Sequence, residues 1–392
     1  MSLFLKRDTK VYLEKARANG TVIWEIPVMD GFSFSQANTT SETVLNEMAT
    51  PAGISKRGRR QFNDALAPAE WSFSTYIRPF RSAGTGAGAA DDTAGVHHAI
   101  EESLWANFVG LGTPQETTTN YNFELLNITA DTTDSNISFA GSNRISLGVF
   151  NLYFVMGAPY DNDRNFDTPA DDDVLVYKIT GCVVNEATIT FDVDGIAMIE
   201  WSGMGALLEK VASFDATNSI REDITLTDNF IRNKLTSLTV TAANTTNYPG
   251  AATNGVYNIT LTGGSITFSN NINFLTPEVL GVVNKPIGHI TGNKSITGNF
   301  TAYLEEAVAG GSGQLLSDAL ADVNTITNSF ALTFILGGSG NTPRFEVALP
   351  TAHLEIPVVQ TDDVIAVDVA FHGLPSTIVA NDECTLTYVG AT

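Results

Sequence analysis

Asp161, Asp163, Asn165, Asp167 and Asp172 fall in "DNDRNFDTPADD" at the spacing of a calcium loop, with oxygen ligands at alternate positions as a hard divalent cation requires. Phe166 stands where the turn asks for glycine, and the last ligand is a short Asp instead of a bidentate Glu. A solvated acidic loop is therefore the competing reading. "GTGAGA", residues 84–89, fits a loose G-x-G-x-x-A pattern between a strand and a helix, where a dinucleotide loop would lie. The strand before it alternates as in a half-solvated sheet and no βαβ unit follows, which favours a flexible link and no cofactor. His97 and His98 are adjacent, so on a helix they point about 100° apart and cannot share a metal in the i, i+4 manner. His289, His353 and His372 have no nearby Cys or His in sequence. No G-x-S-x-G, H-E-x-x-H or P-loop pattern occurs, and no pair of carboxylates stands out from the acidic background. The expectation is a protein that is not an enzyme.

Positive charge is concentrated in one place. "SKRGRRQ" holds Lys56, Arg57, Arg59 and Arg60, in a chain with 21 basic and 43 acidic side chains and a formal charge of −22. That balance repels a nucleic-acid backbone, so a conventional DNA reader is not expected. The cluster itself has three readings: contact with carboxylates on a neighbouring protein, a solvated loop, or contact with DNA. The same net charge keeps a free subunit soluble, so self-assembly has to rest on apolar contacts and strand pairing.

The start, "MSLFLKRDTK", has charges where a signal peptide needs an apolar core, and no run of about 18 apolar residues occurs. A soluble protein made inside a cell, with no membrane partner, is expected. Cys182 and Cys384 are too few for a disulfide framework and read as small apolar residues. Thr, Asn, Gly and Ser are plentiful, which suits strands and turns, so the fold class reads as mostly β.

The elements that would position these residues are written twice. "TVIWEIPV" places Val22, Trp24, Ile26 and Val28 on alternate positions ahead of an Asp30-Gly31 turn, and "DGFSFSQ" follows. "GVYNITL" and "GGSITFS" repeat that phrase, and both copies read as hairpins. "EWSFSTYI" is echoed by "SITGNFTAYL". The spacing of Val96, Ile100, Leu104 and Phe108 predicts a helix in "VHHAIEESLWANFVG", matched by one in "GQLLSDALADV". "LYFVMG" then aligns with "LTFILG", and "FDVDGIAMIEWSGMG" with "TDDVIAVDVAFHGLP". The offset falls from 234 at Phe34/Phe268 to 227 at Tyr76/Tyr303, 180 at Phe154/Phe334 and 170 at Asp192/Asp362. The first copy therefore carries the net insertions, at about 39–68, 81–92, 113–148 and 161–173. Two tandem modules are expected, 1–226 and 227–392.

"SLFLKRDTKVYLE", "IPVMDGFSFSQANTTSETVLNEM", "PAEWSFSTYIRP", "FDVDGIAMIEWSGMG" and "FSNNINFLTPEVLGVVNKPIGHITGNKSITGNFTAYLEE" resemble the tail tube (major tail) proteins of long-tailed bacteriophages. The resemblance covers most of both modules and lies in phrase-level wording, without a catalytic signature. It implies β-sandwich or barrel modules with a flanking α-helix, six of them around each ring and enclosing a shared central β-barrel. In duplicated members of the family, three chains supply the six positions, giving a homotrimer that is a pseudo-hexamer. It further implies a structural virion protein of the tail, made in the host bacterial cytoplasm and stacked into a conduit for DNA ejection, through which DNA passes without specific binding. Tape-measure, tail terminator and tail-tip or baseplate proteins, and a sheath in contractile tails, are the partners it implies. The link 39–68 would reach the adjacent ring, which makes Lys56, Arg57, Arg59 and Arg60 the inter-ring contact candidates. A virion decoration or receptor-binding module is the alternative, as is the tube of a related secretion system.

Overall fold

The computed structural model describes residues 6–17, 20–44, 58–84, 94–110, 128–139, 147–157, 174–212, 214–216, 219–220, 229–250, 254–305, 309–321, 329–338, 342–361 and 364–390. Among them are twenty-three strands and two α-helices. Period-2 patterning builds β1 (Thr9–Arg17), β2 (Gly20–Ile26), β3 (Ser33–Val44) and β4 (Arg59–Tyr76). Two short strands, β5 (Pro79–Arg81) and β6 (His97–Ala99), pair with each other ahead of helix α1 (Glu102–Val109). A small hairpin of β7 (Ile128–Ala130) and β8 (Ser135–Ser138) follows. Next come β9 (Phe150–Gly157), β10 (Val174–Asp192), β11 (Met198–Gly205) and β12 (Leu207–Val211). The C-terminal part has β13 (Ser237–Ala242), β14 (Val256–Ile259), β15 (Leu261–Ser269) and the short pair β16 (Asn273–Leu275) and β17 (Gly288–Ile290). It continues with β18 (Ser295–Tyr303), helix α2 (Ser312–Ala321) and β19 (Phe330–Gly337). The last strands are β20 (Arg344–Leu354), β21 (Val358–Thr361), β22 (Ile365–Gly373) and β23 (Thr385–Val389).

Eight of these strands form one continuous antiparallel sheet in the order β3-β4-β11-β10-β15-β18-β22-β21. Two further sheets lie against it, β2-β1-β9-β10-β12 and β14-β13-β19-β20-β23-β8-β7. Long β10 belongs to two layers. Its first half pairs with β9 and β12, its second with β11 and β15, and the bend between them carries Gly181 at φ 62° and an irregularity at Val184/Glu186. β20 turns between layers in a similar way, pairing first with β19 and β23 and then with β22.

The core fills the space between the layers. Phe34 on β3 meets Phe154 on β9 at 4.4 Å between ring centroids, and Phe371 on β22 meets Phe334 on β19 at 5.4 Å. One apolar cluster runs through both ends of the chain, with Phe191 of β10 against Phe334 at 5.7 Å. Helix α1 is buried along its whole length, and Gly110 in the left-handed region closes it.

Three sequence expectations are corrected here. The strands flanking Asp30-Gly31 are not a hairpin: β2 pairs with β1 while β3 pairs with β4, so the turn carries the chain from one layer to the other. β14 and β15 part in the same manner. Both strands of each phrase alternate because both face the same core from opposite sides, a pattern that sequence alone does not distinguish from pairing. The helix predicted from Val96 begins only at Glu102, because His97–Ala99 pair with β5 and the Glu102 carboxylate accepts from the Ala99 N–H at 3.1 Å. The stretch 39–68 is not a loop where it is described. β3 and β4 continue pairing out to Val44↔Arg59, as an arm whose β4 side chains from Arg59 to Asp64 are all exposed.

Candidate functional site

The outward face of the eight-stranded sheet is a set of polar rows. Ser33, Ser72, Ser202, Glu186, Ser269 and Ser295 lie opposite one another across six strands. The next row runs Ser74, Glu200, Thr188, Thr267, Thr297 and His372. Hydroxyls tie the rows together: Ser33 to Ser72 at 2.8 Å, Thr188 to Thr267 at 3.2 Å and Ser265 to Asn299 at 2.9 Å. Where the rows carry charge, it is carboxylate: Glu70, Glu186, Glu200, Asp192 and Asp368 stand on this face without a Lys or Arg in the rows. A shallow cavity of ≈ 280 Å³ indents it between β3, β4 and β11, floored by Trp71 and Gly203. Such a surface offers hydrogen bonds but repels a phosphate backbone.

The sheet ends in two open edges. Among the described residues β3 pairs only with β4, and β21 only with β22. Every residue of β21 is exposed, including Val359 at 42%, although its cross-strand neighbour Val367 is buried. Ile189 of β10 is 0% exposed because β15 continues the sheet beyond it. The helices differ in the same sense. α1 is covered by both halves of the chain, with Trp105 against Trp201 at 4.8 Å and against Phe268 at 5.2 Å. In α2 only Ser312 and Leu315 are buried, and Leu320 is 54% exposed.

One rim of the sheet carries the β3–β4 arm, and the 270–294 segment packs on that arm. Leu66 N–H donates to Asn284 O at 2.8 Å, and Asn284 N–H to Asp64 O at 3.1 Å. Around it Val279, Leu280 and Ile287 are strongly exposed, Leu280 completely so. The opposite rim carries the Asp30-Gly31 turn and the β10–β11 turn with exposed Asp192 and Asp194.

Of the basic cluster, Arg59 and Arg60 sit at the start of β4 on the arm, exposed; Lys56 and Arg57 lie outside the described residues. Arg59 makes an ion pair with Glu42 across the arm at 3.7 Å, and the Arg60 guanidinium lies 5.6 Å from the Phe62 ring centre. Asp161, Asp163, Asn165, Asp167 and Asp172 also fall outside the described residues, as does "GTGAGA" beyond Gly84. His97 and His98 belong to β6 and are buried in unlike surroundings. Burial and the Arg81 guanidinium, 3.3 Å away, hold His97 below its ordinary pKa, whereas His98 pairs with Glu102 at 3.0 Å. Among the described residues no group of three metal-ligating side chains occurs, and no helix is long and apolar enough to cross a membrane. Alternation marked which residues share the polar face, but the face that matters and the two edges appear only once the strand order is known.

Residues 82–373 match the family described as phage tail tube protein. Over 98% of its length the chain is 31% identical to the tail tube protein pb6 of Escherichia phage T5, covering 75% of that protein. An extensive antiparallel sheet with a carboxylate and hydroxyl face and two open edges is what such a match has to account for. The chain belongs to the phage tail tube protein family and is a structural component of the tail of a virion.

Proposed function

We propose that the chain is two tandem modules, 1–226 and 227–392, and that three copies close into a ring whose inner wall is the eight-stranded sheet. The observation that carries this is the β10–β15 pairing, which joins the order β3-β4-β11-β10 to the order β15-β18-β22-β21. In the aligned copies β21 stands where the second half of β10 stands, and β3 where β15 stands. The open edges are thus the two halves of a joint already formed once inside the chain. Matched at the offset of 227, Ser72 and Asn299 face Ser33 and Ser265, so β3 aligns with β15 at 232 there. That is two residues from the offset at Phe34/Phe268, and it leaves every side chain on the same face. Gln360, Val359 and Val358 would then face Ser33, Phe34 and Ser35 of the next copy.

Size supports the same closure. Three times eight strands at ~4.8 Å spacing and ~40° tilt close at a backbone diameter of about 48 Å. With side chains this leaves a channel of roughly 35–40 Å, wide enough for a duplex of roughly 20 Å. One copy closed on itself would leave no such space. The polar rows would line the channel, where carboxylates and hydroxyls let DNA slide without being held, and the protein would act as a conduit and not as an enzyme.

Stacking would use the rims. The arm with Lys56, Arg57, Arg59 and Arg60 would meet the rim of the adjacent ring, where Asp30, Asp192 and Asp194 supply opposite charge. At the ends of the tube, tail terminator and tail-tip proteins would take the place of a neighbouring ring, with the tape-measure protein inside during assembly. Electron microscopy of the purified protein with rotational averaging tests the ring: three chains showing six lobes around an open channel is expected. A discrete particle with no channel and no stacking would favour a decoration or receptor-binding role instead.

A further inference from the structure

We infer that the wall contains two unlike joints, and that α1 together with strand β8 is a lock that makes the within-chain joint the tighter one. The inference rests on the ring reading above. Seven positions of β10 pair with β15, and beneath them α1 bridges the two halves of the chain. The Trp105 indole N–H donates to Tyr388 Oη at 2.8 Å, and the Tyr388 hydroxyl donates to Glu101 Oε1 at 2.8 Å. From β15's end, Asn270 Nδ2 donates to the Phe108 carbonyl at 3.0 Å. All of these groups are buried, so each bond excludes water from the joint.

β8 adds a second clasp. It lies between α1 and β9 in sequence, yet pairs with β23 at the far end of the chain over Ser138↔Thr385 to Ser135↔Tyr388. Thr387 Oγ1 donates to Asn136 Oδ1 at 2.6 Å in the same ladder. Residues 110–149 separate α1 from β9 and supply this hairpin.

Among the described residues neither device recurs at the other end of the chain. Eight residues, 322–329, lie between α2 and β19, against the forty between α1 and β9 that include β7 and β8. α2 is held on its own side, where Asp318 accepts from the Tyr257 hydroxyl at 2.6 Å. The edge of β12, which stands in the first module where β23 stands in the second, is filled by a side chain: Gln36 accepts from the Leu208 N–H at 2.9 Å and donates to Ala206 O at 3.1 Å. Gln36 thus occupies backbone groups at the start of β12 that an added strand would need. A ring therefore opens at its three chain-to-chain joints and separates into whole chains, each a preformed third of the wall.

Hydrogen exchange on the full-length chain, free and assembled, tests this. The amides of β10 and β15 are expected to be protected in both states. Those of β21 and β3 should gain protection only on assembly and remain at least tenfold less protected. Tyr388→Phe strands the Trp105 N–H and removes the hydroxyl that donates to Glu101, and should lower protection across β10/β15 by about tenfold while leaving β21/β3 as they were. Asn270→Ala is a milder second variant with the same expected direction. Equal protection of the two joints in assembled particles, or no change at β10/β15 in either variant, would overturn the lock and leave the ring standing. No gain of protection at β21/β3 on assembly would remove the ring reading and the lock together.

Discussion

Lys15 on β1 is buried and donates to Asn107 Oδ1 of α1 at 2.5 Å, an amide partner that does not offset its charge. Burial pulls its pKa from 10.5 down to about 8. Between those values the unfolded chain holds the proton and the folded chain does not, so stability rises with pH across that window and the full burial penalty applies below it. Lys15→Met is expected to remove that rise. It relieves about 3 kcal/mol of charge burial but leaves Asn107 short of a donor at a cost of about 1–2 kcal/mol, so a net gain of about 1–2 kcal/mol at pH 7 should appear in denaturant melts. The difference between variant and parent should shrink steadily above pH 8. Gly203 answers to a steric demand instead. A Cβ there would meet the Val183 carbonyl oxygen at 2.2 Å and the Trp71 ring at 2.3 Å, and neither can retreat without disturbing the sheet. Gly203→Ala should cost about 3 kcal/mol or more, whereas Gly31→Ala, with nothing within 4 Å, should stay within about 1 kcal/mol in the same melts.

At the scale of elements, β21 carries the sharpest expectation. Val359 is exposed on a strand that, among the described residues, pairs on one side only, so Val359→Lys removes little from the isolated chain. On the ring reading that lysine must be buried opposite Phe34 of the next copy. The melting temperature should therefore hold to within about 2 °C, while sedimentation should show loss of rings; rings that survive would place the joint elsewhere. How much of this was legible in the sequence depends on burial. "TVIWEIPV" and "EWSFSTYI" could be read as strands because one face of each is buried. The arm could not, since beyond Gln36 the described side chains of β3 are exposed on both faces and the alternation stops. The pairing of β8 with β23 was equally hidden: Asn136 and Thr387 are 251 residues apart, and a four-residue strand carries too little pattern to name its partner. Helix α1 was foreseen too long because the i, i+4 apolar spacing from Val96 to Ile100 runs across His97–Ala99, where strand pairing to β5 prevails over helical propensity.

The whole molecule couples a charge of −22 to a need for close self-contact, and the division of labour between its surfaces follows from that. Of the surfaces that would meet another copy, the β21 edge carries exposed valines and the two rims carry opposite charge, Arg59 and Arg60 on one and Asp30, Asp192 and Asp194 on the other, while the face assigned to the channel carries acids and hydroxyls. Reversing charge on that face should alter cargo and leave assembly intact. Glu200 is exposed in the middle of a row between Ser74 and Thr188, away from both open edges. On the ring reading, Glu200→Lys places three lysines around each ring at the height of one row, facing the channel. Stacked rings then repeat that belt along the tube. Parent tubes should show no uptake of a short DNA duplex by fluorescence anisotropy at ~20 mM salt, whereas tubes of the variant should bind it and release it by ~200 mM, because binding through a few phosphates weakens steeply as counterions are added. The same reversal at Glu209 on β12, outside the eight-stranded sheet, should leave DNA excluded. Binding that appears with Glu209→Lys and not with Glu200→Lys would put the channel on the other side of the wall.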